Sequence, residues 1–227
     1  KIFLTYNINS VSNENLKNKQ FRKFISNAIL NKYQGEYSLS NSLFEFNNLT
    51  NKNETNIIKN YSPTESKLTL LCPEEDTELV NLSKIIVNIL LSENLNITVE
   101  ILPYYKYLER MFYTKDFDLA IVKYSFGEKI LSLYSLFYND KINFSAFIDN
   151  NQIYKEFILS LLNENNFNDQ NIIINDFQNL ISNESVFGPF FSNKKQYILN
   201  GIYNFKNSND VYNLITIEHI LKKKIKK

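Results

Sequence analysis

The chain has 227 residues, 44% hydrophobic and 15% aromatic, enough to bury a sizeable core in one large domain or two small ones. A formal net charge of +1 gives no overall electrostatic drive toward nucleic acid or an anionic membrane. A single cysteine excludes an intrachain disulfide, and a single histidine beside it excludes a Cys/His zinc site.

Lys1–Asn9 alternates in polarity and reads as a strand, and after polar Asn13–Lys19 comes an amphipathic helix over Phe21–Tyr33. Its apolar face is Phe21, Phe24, Ile25, Ala28 and Ile29. Gln34–Ser66 is crowded with Asn, Ser, Thr and Lys around Leu43, Phe44 and Phe46, and reads as a long polar loop with one short packed piece.

Lys67–Tyr124 then runs on a βαβαβ rhythm. Leu68–Leu71 is an apolar strand ending at Pro73, and Glu75, Asp76 and Thr77 suit a helix N-terminus. Leu79, Leu82, Ile86, Ile89 and Leu90 recur at helical spacing. Ile97, Val99 and Ile101 alternate with polar residues as in a half-buried strand, Tyr104–Tyr113 is a short amphipathic helix, and Phe117–Val122 is apolar enough for an interior strand. Parallel strands joined by right-handed helical crossovers satisfy this order, and such sheets bind ligands at the carboxyl ends of their strands. That rule selects Cys72–Glu75, Leu102–Tyr105 and Tyr124–Glu128.

Lys129–Tyr138 follows as a helix or irregular segment, Gln152–Asn163 as a helix with Ile153, Phe157, Ile158 and Leu161 on one face, and Ile172–Ser182 as a second helix. Ser185–Asn200 is extended, with Gly188-Pro189 setting a turn or bulge. Tyr212–Leu221 fits strand or helix, and Lys222–Lys227 is a basic, solvated tail.

Catalytic signals are weak. His219 stands among Ile217, Ile220 and a lysine cluster, with no local carboxylate to orient it. There is no Walker-type or dinucleotide glycine motif. Glu74, Glu75 and Asp76 are better explained by a helix N-terminus than by acid–base chemistry. Cys72 fits a small buried residue near a strand end, and Arg22, beside Lys19 and Lys23, fits a structural ion pair. The tyrosines of 104–113 suit packing on the sheet or a peptide groove, and they lack the clustered cations of a nucleic-acid site.

In order along the chain, KIFLTYNIN, FRKFISNAI, KLTLLCP, NITVEILPYYKYLERMFYTKDFDLAIVKY and VFGPFFSNKKQYILNGIYNF resemble segments of the family 5 extracellular solute-binding proteins, the oligopeptide-binding subunits of ABC importers. The resemblance is to the C-terminal lobe and spreads over most of the chain; its Phe-Asp-Leu residues serve strand entry in the family, which implies that structural role, rather than a ligand role, for Asp118. It implies an α/β fold: a mixed sheet with a βαβαβ core flanked by helices, one lobe of a type II periplasmic-binding-protein-like fold. Residues 1–227 are then a single lobe of a larger two-lobed protein, with 34–66 as a loop within it. The chain starts with Lys1 rather than Met and shows no signal peptide, in keeping with a piece whose missing N-terminal part carries the export signal, a lipoprotein cysteine and most of the other lobe. The implied function is capture of a peptide or similar small solute outside the membrane for an ABC permease, with no catalytic residues, metal or cofactor. The expected ligand-binding residues are Tyr124, Ser125, Phe126, Gly127, Glu128 and Tyr104.

Tyr124 matches the family's aromatic position after this strand, but the aspartate that commonly holds a peptide's amino terminus falls on Gly127. Glu128 substitutes if the loop shifts by one residue; otherwise the ligand is something other than a free peptide. Two other classes remain open: a sensor or interaction module that kept the lobe fold, and an α/β hydrolase needing convergent polar groups near Tyr124–Glu128.

Overall fold

The computed structural model describes residues 1–44, 67–127, 129–138 and 151–193. The elements are β1 (Ile2–Tyr6), a 3-10 turn (Glu14–Lys17), α1 (Lys19–Lys32), β2 (Tyr37–Ser40), β3 (Leu68–Pro73), α2 (Thr77–Ser92), β4 (Ile97–Leu102) and α3 (Tyr104–Leu108). After α3 the backbone widens into a π-helical turn over Glu109–Thr114. Then come β5 (Leu119–Lys123), α4 (Lys129–Phe137), α5 (Asn151–Asn163), α6 (Phe167–Glu184) and β6 (Phe187–Asn193).

Six strands form one mixed sheet in the order β2-β6-β1-β5-β3-β4. β3 pairs in parallel with both β4 and β5, while β1 is antiparallel to β5 and β6, and β2 is antiparallel to β6. The expected βαβαβ unit is therefore present, with β3 in its centre. The crossover through α2 and the one through α3 run in opposite directions along the sheet. Right-handedness then puts the two on opposite faces.

The pleat sorts side chains accordingly. Ile2, Leu4 and Tyr6 of β1, Leu68, Leu70 and Cys72 of β3, and Leu119 and Ile121 of β5 join one core with α1 and α2. Phe3, Leu71, Ala120 and Val122 point the other way, into a second core with α3 to α6. All five apolar positions expected on α1 and all five on α2 are buried. On α5 Ile158 and Leu161 are buried as expected and Phe157 packs at their margin, but Ile153 is 42% exposed and Tyr154 is buried instead. Ile101 is also more exposed than its alternation suggests, because it stands near the tip of an edge strand. β2 lies inside the segment expected to be loop, and the buried Leu43 and Phe44 just beyond it are the packed piece. The expectations for 212–227, His219 included, fall outside the described residues.

Two polar knots hold the elements. Arg22 is 3% exposed, and its guanidinium donates to four main-chain carbonyls: Leu16 at 2.6 Å, Lys17 at 3.0 Å, Glu184 at 2.6 Å and Ser185 at 3.0 Å. It thereby caps the carboxyl ends of the 3-10 turn and of α6, where helical carbonyls lack intrahelical partners. Asp118 is 1% exposed; its Oδ1 accepts from Ser10 and Ser12 Oγ at 2.6 and 2.7 Å, and its Oδ2 from the Thr69 N–H at 2.9 Å. This is the strand-entry role expected for it. Asp116, in contrast, pairs with Arg110 at the surface, because β5 begins only at Leu119 and the two carboxylates do not share a strand face.

Gly188 and Pro189 lie opposite Leu4 alone, since Phe3 pairs with Phe190 and Thr5 with Phe187. This is a bulge. A Cβ on Gly188 would stand 2.8 Å from the Leu4 Cβ and 2.9 Å from the Tyr6 hydroxyl. Gly188→Ala is expected to cost about 1–3 kcal/mol through overpacking, and Arg22→Met about 3 kcal/mol by leaving buried carbonyls unpaired. Urea unfolding checks both; a loss under about 0.5 kcal/mol for Gly188→Ala would mean that the bulge relaxes freely.

Candidate functional site

The carboxyl ends of β3, β4 and β5 lie at one pole of the sheet, joined there by the start of β1, which pairs Ile2 with Lys123. With β3 between them, the tips of β4 and β5 are two strand spacings apart, about 10 Å. This pole is the place the sequence selects for a ligand.

Its main chain is well tied. The Glu74 N–H donates to the Leu102 carbonyl at 2.8 Å, joining the tips of β3 and β4. The Tyr104 N–H donates to Glu75 Oε1 at 2.8 Å, and the Tyr124 N–H to the Lys1 carbonyl at 2.9 Å. Cys72 is buried just before the tip of β3, and burial raises its thiol pKa, as suits a packing residue rather than a nucleophile.

The charged side chains gather on the α2 face. Asp76 is the N-cap of α2: its Oδ1 accepts from the Glu78 and Leu79 N–H groups at 3.1 and 3.2 Å. Lys123, the last residue of β5, donates to Asp76 Oδ2 at 2.9 Å and to Glu78 Oε2 at 2.5 Å. The Tyr37 hydroxyl, from edge strand β2, donates to the other Glu78 oxygen. Hydrogen bonds to Glu78 and Asp76 raise the Lys123 pKa. The bonds from Lys123 and then Tyr37 hold Glu78 below the usual carboxylate range. Burial pushes Asp76 upward, but Lys123 and the two helix N–H groups outweigh it, so its pKa also falls. Burial, then the neighbouring Glu78 carboxylate, raises the phenol of Tyr37.

The aromatic side chains gather on the opposite face. In 124–127 exposure alternates: Tyr124 and Phe126 are half-buried, Ser125 and Gly127 exposed. The Tyr124 and Phe126 rings meet edge to face at 4.9 Å, and Phe126 meets Phe44 edge to face at 5.7 Å. Tyr104 and Tyr105, at the tip of β4, are 54% and 66% exposed, with Tyr104 stacked on buried Tyr107 at 6.2 Å. The structure thus brings Tyr124, Ser125, Phe126, Gly127 and Tyr104 to one pole, while Glu128 lies outside the described residues. Phe44 and the Tyr37–Glu78–Lys123–Asp76 group were not expected there. Their partners are remote in sequence, and only the acidic run 74–76 before a helix hinted at the second.

No protein-family model matches the sequence, and no curated protein gives a significant match. Solved structures do match. A periplasmic murein tripeptide-binding protein, MppA, in its unliganded open form aligns with a TM-score of 0.65 and 13% identity, over 84% of this chain and 41% of its own. NikA from Brucella suis, in complex with Fe(III)-EDTA, gives 0.64 and 12%, over 84% and 44%. The periplasmic oligopeptide-binding protein of an ABC transporter from Thermotoga maritima gives 0.61 and 15%, again over 84% and 44%. The chain has the periplasmic-binding-protein fold. It spans less than half the length of these relatives in structure, and among its described residues no helix is long and apolar enough to cross a membrane.

The charged group at the pole has a pH signature. Depressed Asp76 and Glu78 contribute stability that is complete above the ordinary carboxylate pKa of about 4 and is lost as pH falls through their lowered values. Raised Lys123 contributes below the ordinary lysine pKa of about 10.4 and loses its share as pH rises through its higher value. Lys123→Met should therefore cost about 0.5–1 kcal/mol at pH 7, the range of solvent-screened pairs. The difference from wild type should vanish in strong acid. Denaturant unfolding across pH checks this; an unchanged difference at pH 2 would assign the loss to the lysine's methylene stem instead.

Proposed function

We propose that the chain is one lobe of a two-lobed extracytoplasmic solute-binding protein that delivers its ligand to an ABC permease. The observation that carries this reading is the convergence of three parallel strand tips at one pole, in a fold shared with proteins named for binding a murein tripeptide or oligopeptides. The T. maritima relative is described as part of an oligopeptide ABC transporter. On this reading the solute is a peptide or similar small molecule, held between the pole and a second lobe that lies outside the chain. Closure of the lobes over the ligand stabilises the bound form. Main-chain groups give sequence-tolerant affinity and side-chain pockets add selectivity. Function is by binding, without catalysis. The protein works outside the cytoplasm, held at the membrane by a lipid anchor beyond this chain. A hydrolase is not favoured, since between Tyr124 and Gly127 the described groups are two aromatic rings, one exposed serine and main chain.

A lobe that supplies half of a cleft makes half of the contacts, so the chain alone should bind a mixed peptide pool only weakly, with dissociation constants of about 1 mM or higher. Titration calorimetry on the 227-residue chain checks this. Tight saturable binding would show instead that the site is complete within it.

A further inference from the structure

We propose that solute selectivity at this pole is set by the aromatic shelf Tyr124–Phe126, backed by buried Phe44, which takes a solute through an uncharged, flat ring face. The inference rests on the solute-binding reading and narrows its ligand class. Three observations carry it.

Three charges on the α2 side of the pole, Lys123, Asp76 and Glu78, are already committed to one another. Lys123 is held by Asp76 and Glu78, Glu78 also takes the Tyr37 hydroxyl, and Glu75 takes the Tyr104 N–H. A charged solute would have to break these contacts and re-form them, with little net gain in a solvent-screened setting.

The shelf lies on the other face of the sheet. Tyr124 and Phe126 pack against the core that contains Phe44 and α4 to α6, and their rings are oriented by edge-to-face contacts at 4.9 and 5.7 Å. Rings already fixed by their neighbours lose little freedom when a ligand arrives. Both rings are half-buried, and the part of such a ring left to solvent carries a negative quadrupole on its face, which suits another aromatic ring or the C–H face of a sugar ring.

Beside the shelf, Gly127 leaves its own position unobstructed among the described residues. Gly127 follows it with no side chain, and no described atom lies within 4 Å of where a Cβ would stand. Aromatic side chains and sugar rings share the chemistry this surface recognises, and the experiment separates them.

Ligand-detected saturation-transfer NMR on the full 227-residue chain reads the weak binding expected of it. The probes are acetylated and amidated Ala-Trp-Ala, the same capped peptide with Ala for Trp, an uncharged hexose oligosaccharide, and free Ala-Lys-Ala. At least one ring-bearing probe should bind about tenfold tighter than both ring-free probes, and which one does so identifies the source of the ring. Phe126→Ala and the volume-keeping Phe126→Leu should weaken that binding about three- to tenfold. Val11→Ala, 98% exposed in the loop that Ser10 and Ser12 anchor to Asp118 at the opposite pole, should leave it unchanged. Circular dichroism confirms that each variant is folded. Equal or tighter binding of free Ala-Lys-Ala, or indifference to Phe126→Leu, overturns the shelf while keeping the solute-binding reading. No transfer to any probe at about 10 mM overturns the shelf and leaves the solute-binding reading in place.

Discussion

The parallel pairing of β3 with β4 on one side and β5 on the other organises this molecule. Parallel neighbours cannot be joined by a tight turn, so each connection must cross a face of the sheet, and right-handedness puts α2 and α3 on opposite faces. Both faces of β3 are then covered, which is why Leu68, Leu70, Leu71 and Cys72 are all buried. The same pairing brings three strand tips to one pole and leaves the connections free to carry side chains there. The antiparallel strands β1, β6 and β2 extend the sheet without altering that arrangement.

The two poles differ in character. Where β5 begins, buried Asp118 gathers Ser10, Ser12 and the Thr69 main chain into one knot, and the Asn7 amide donates to the Lys115 and Phe117 carbonyls. Breaking such a network exposes several polar groups to an apolar interior at once. Where β5 ends, the ties are solvent-screened ion pairs and half-exposed rings. Buried side-chain hydrogen bonds are concentrated at the first pole and partly exposed side chains at the second.

At the second pole the pleat separates two kinds of chemistry within consecutive residues. Lys123 points toward α2 and its carboxylates, and Tyr124 toward the aromatic core of α4 to α6. The period of two that buries the strand therefore continues past its end and decides which side chains meet. Phe126 follows Tyr124 on the same side, and Ser125 and Gly127 are left to solvent.

Much of this was legible in the chain, for local reasons. The 3.6-residue spacing of Leu79, Leu82, Ile86, Ile89 and Leu90 fixed the buried face of α2, and an Asp before that spacing marked its N-cap. On α5 the same reasoning held at Ile158 and Leu161 and missed at one position, where Tyr154 is buried and Ile153 is not: a tyrosine carries a polar tip and does not announce itself as core. β2 was missed because Tyr37-Ser38-Leu39-Ser40 alternates over only four residues inside a polar segment, too short a run to mark a strand; it is one because β6, more than a hundred residues on, pairs with it. Phe44 joins Phe126, and Tyr37 reaches Glu78, for the same reason. The amino-acid order by itself determined most of the elements and their buried faces and selected the pole proposed for a ligand, since these follow from short-range periodicity and the handedness of crossovers. Strand order, the aromatic shelf and the pairing of the charges were decided only by the tertiary structure, since periodicity says which face a side chain takes but not which distant neighbour it finds there.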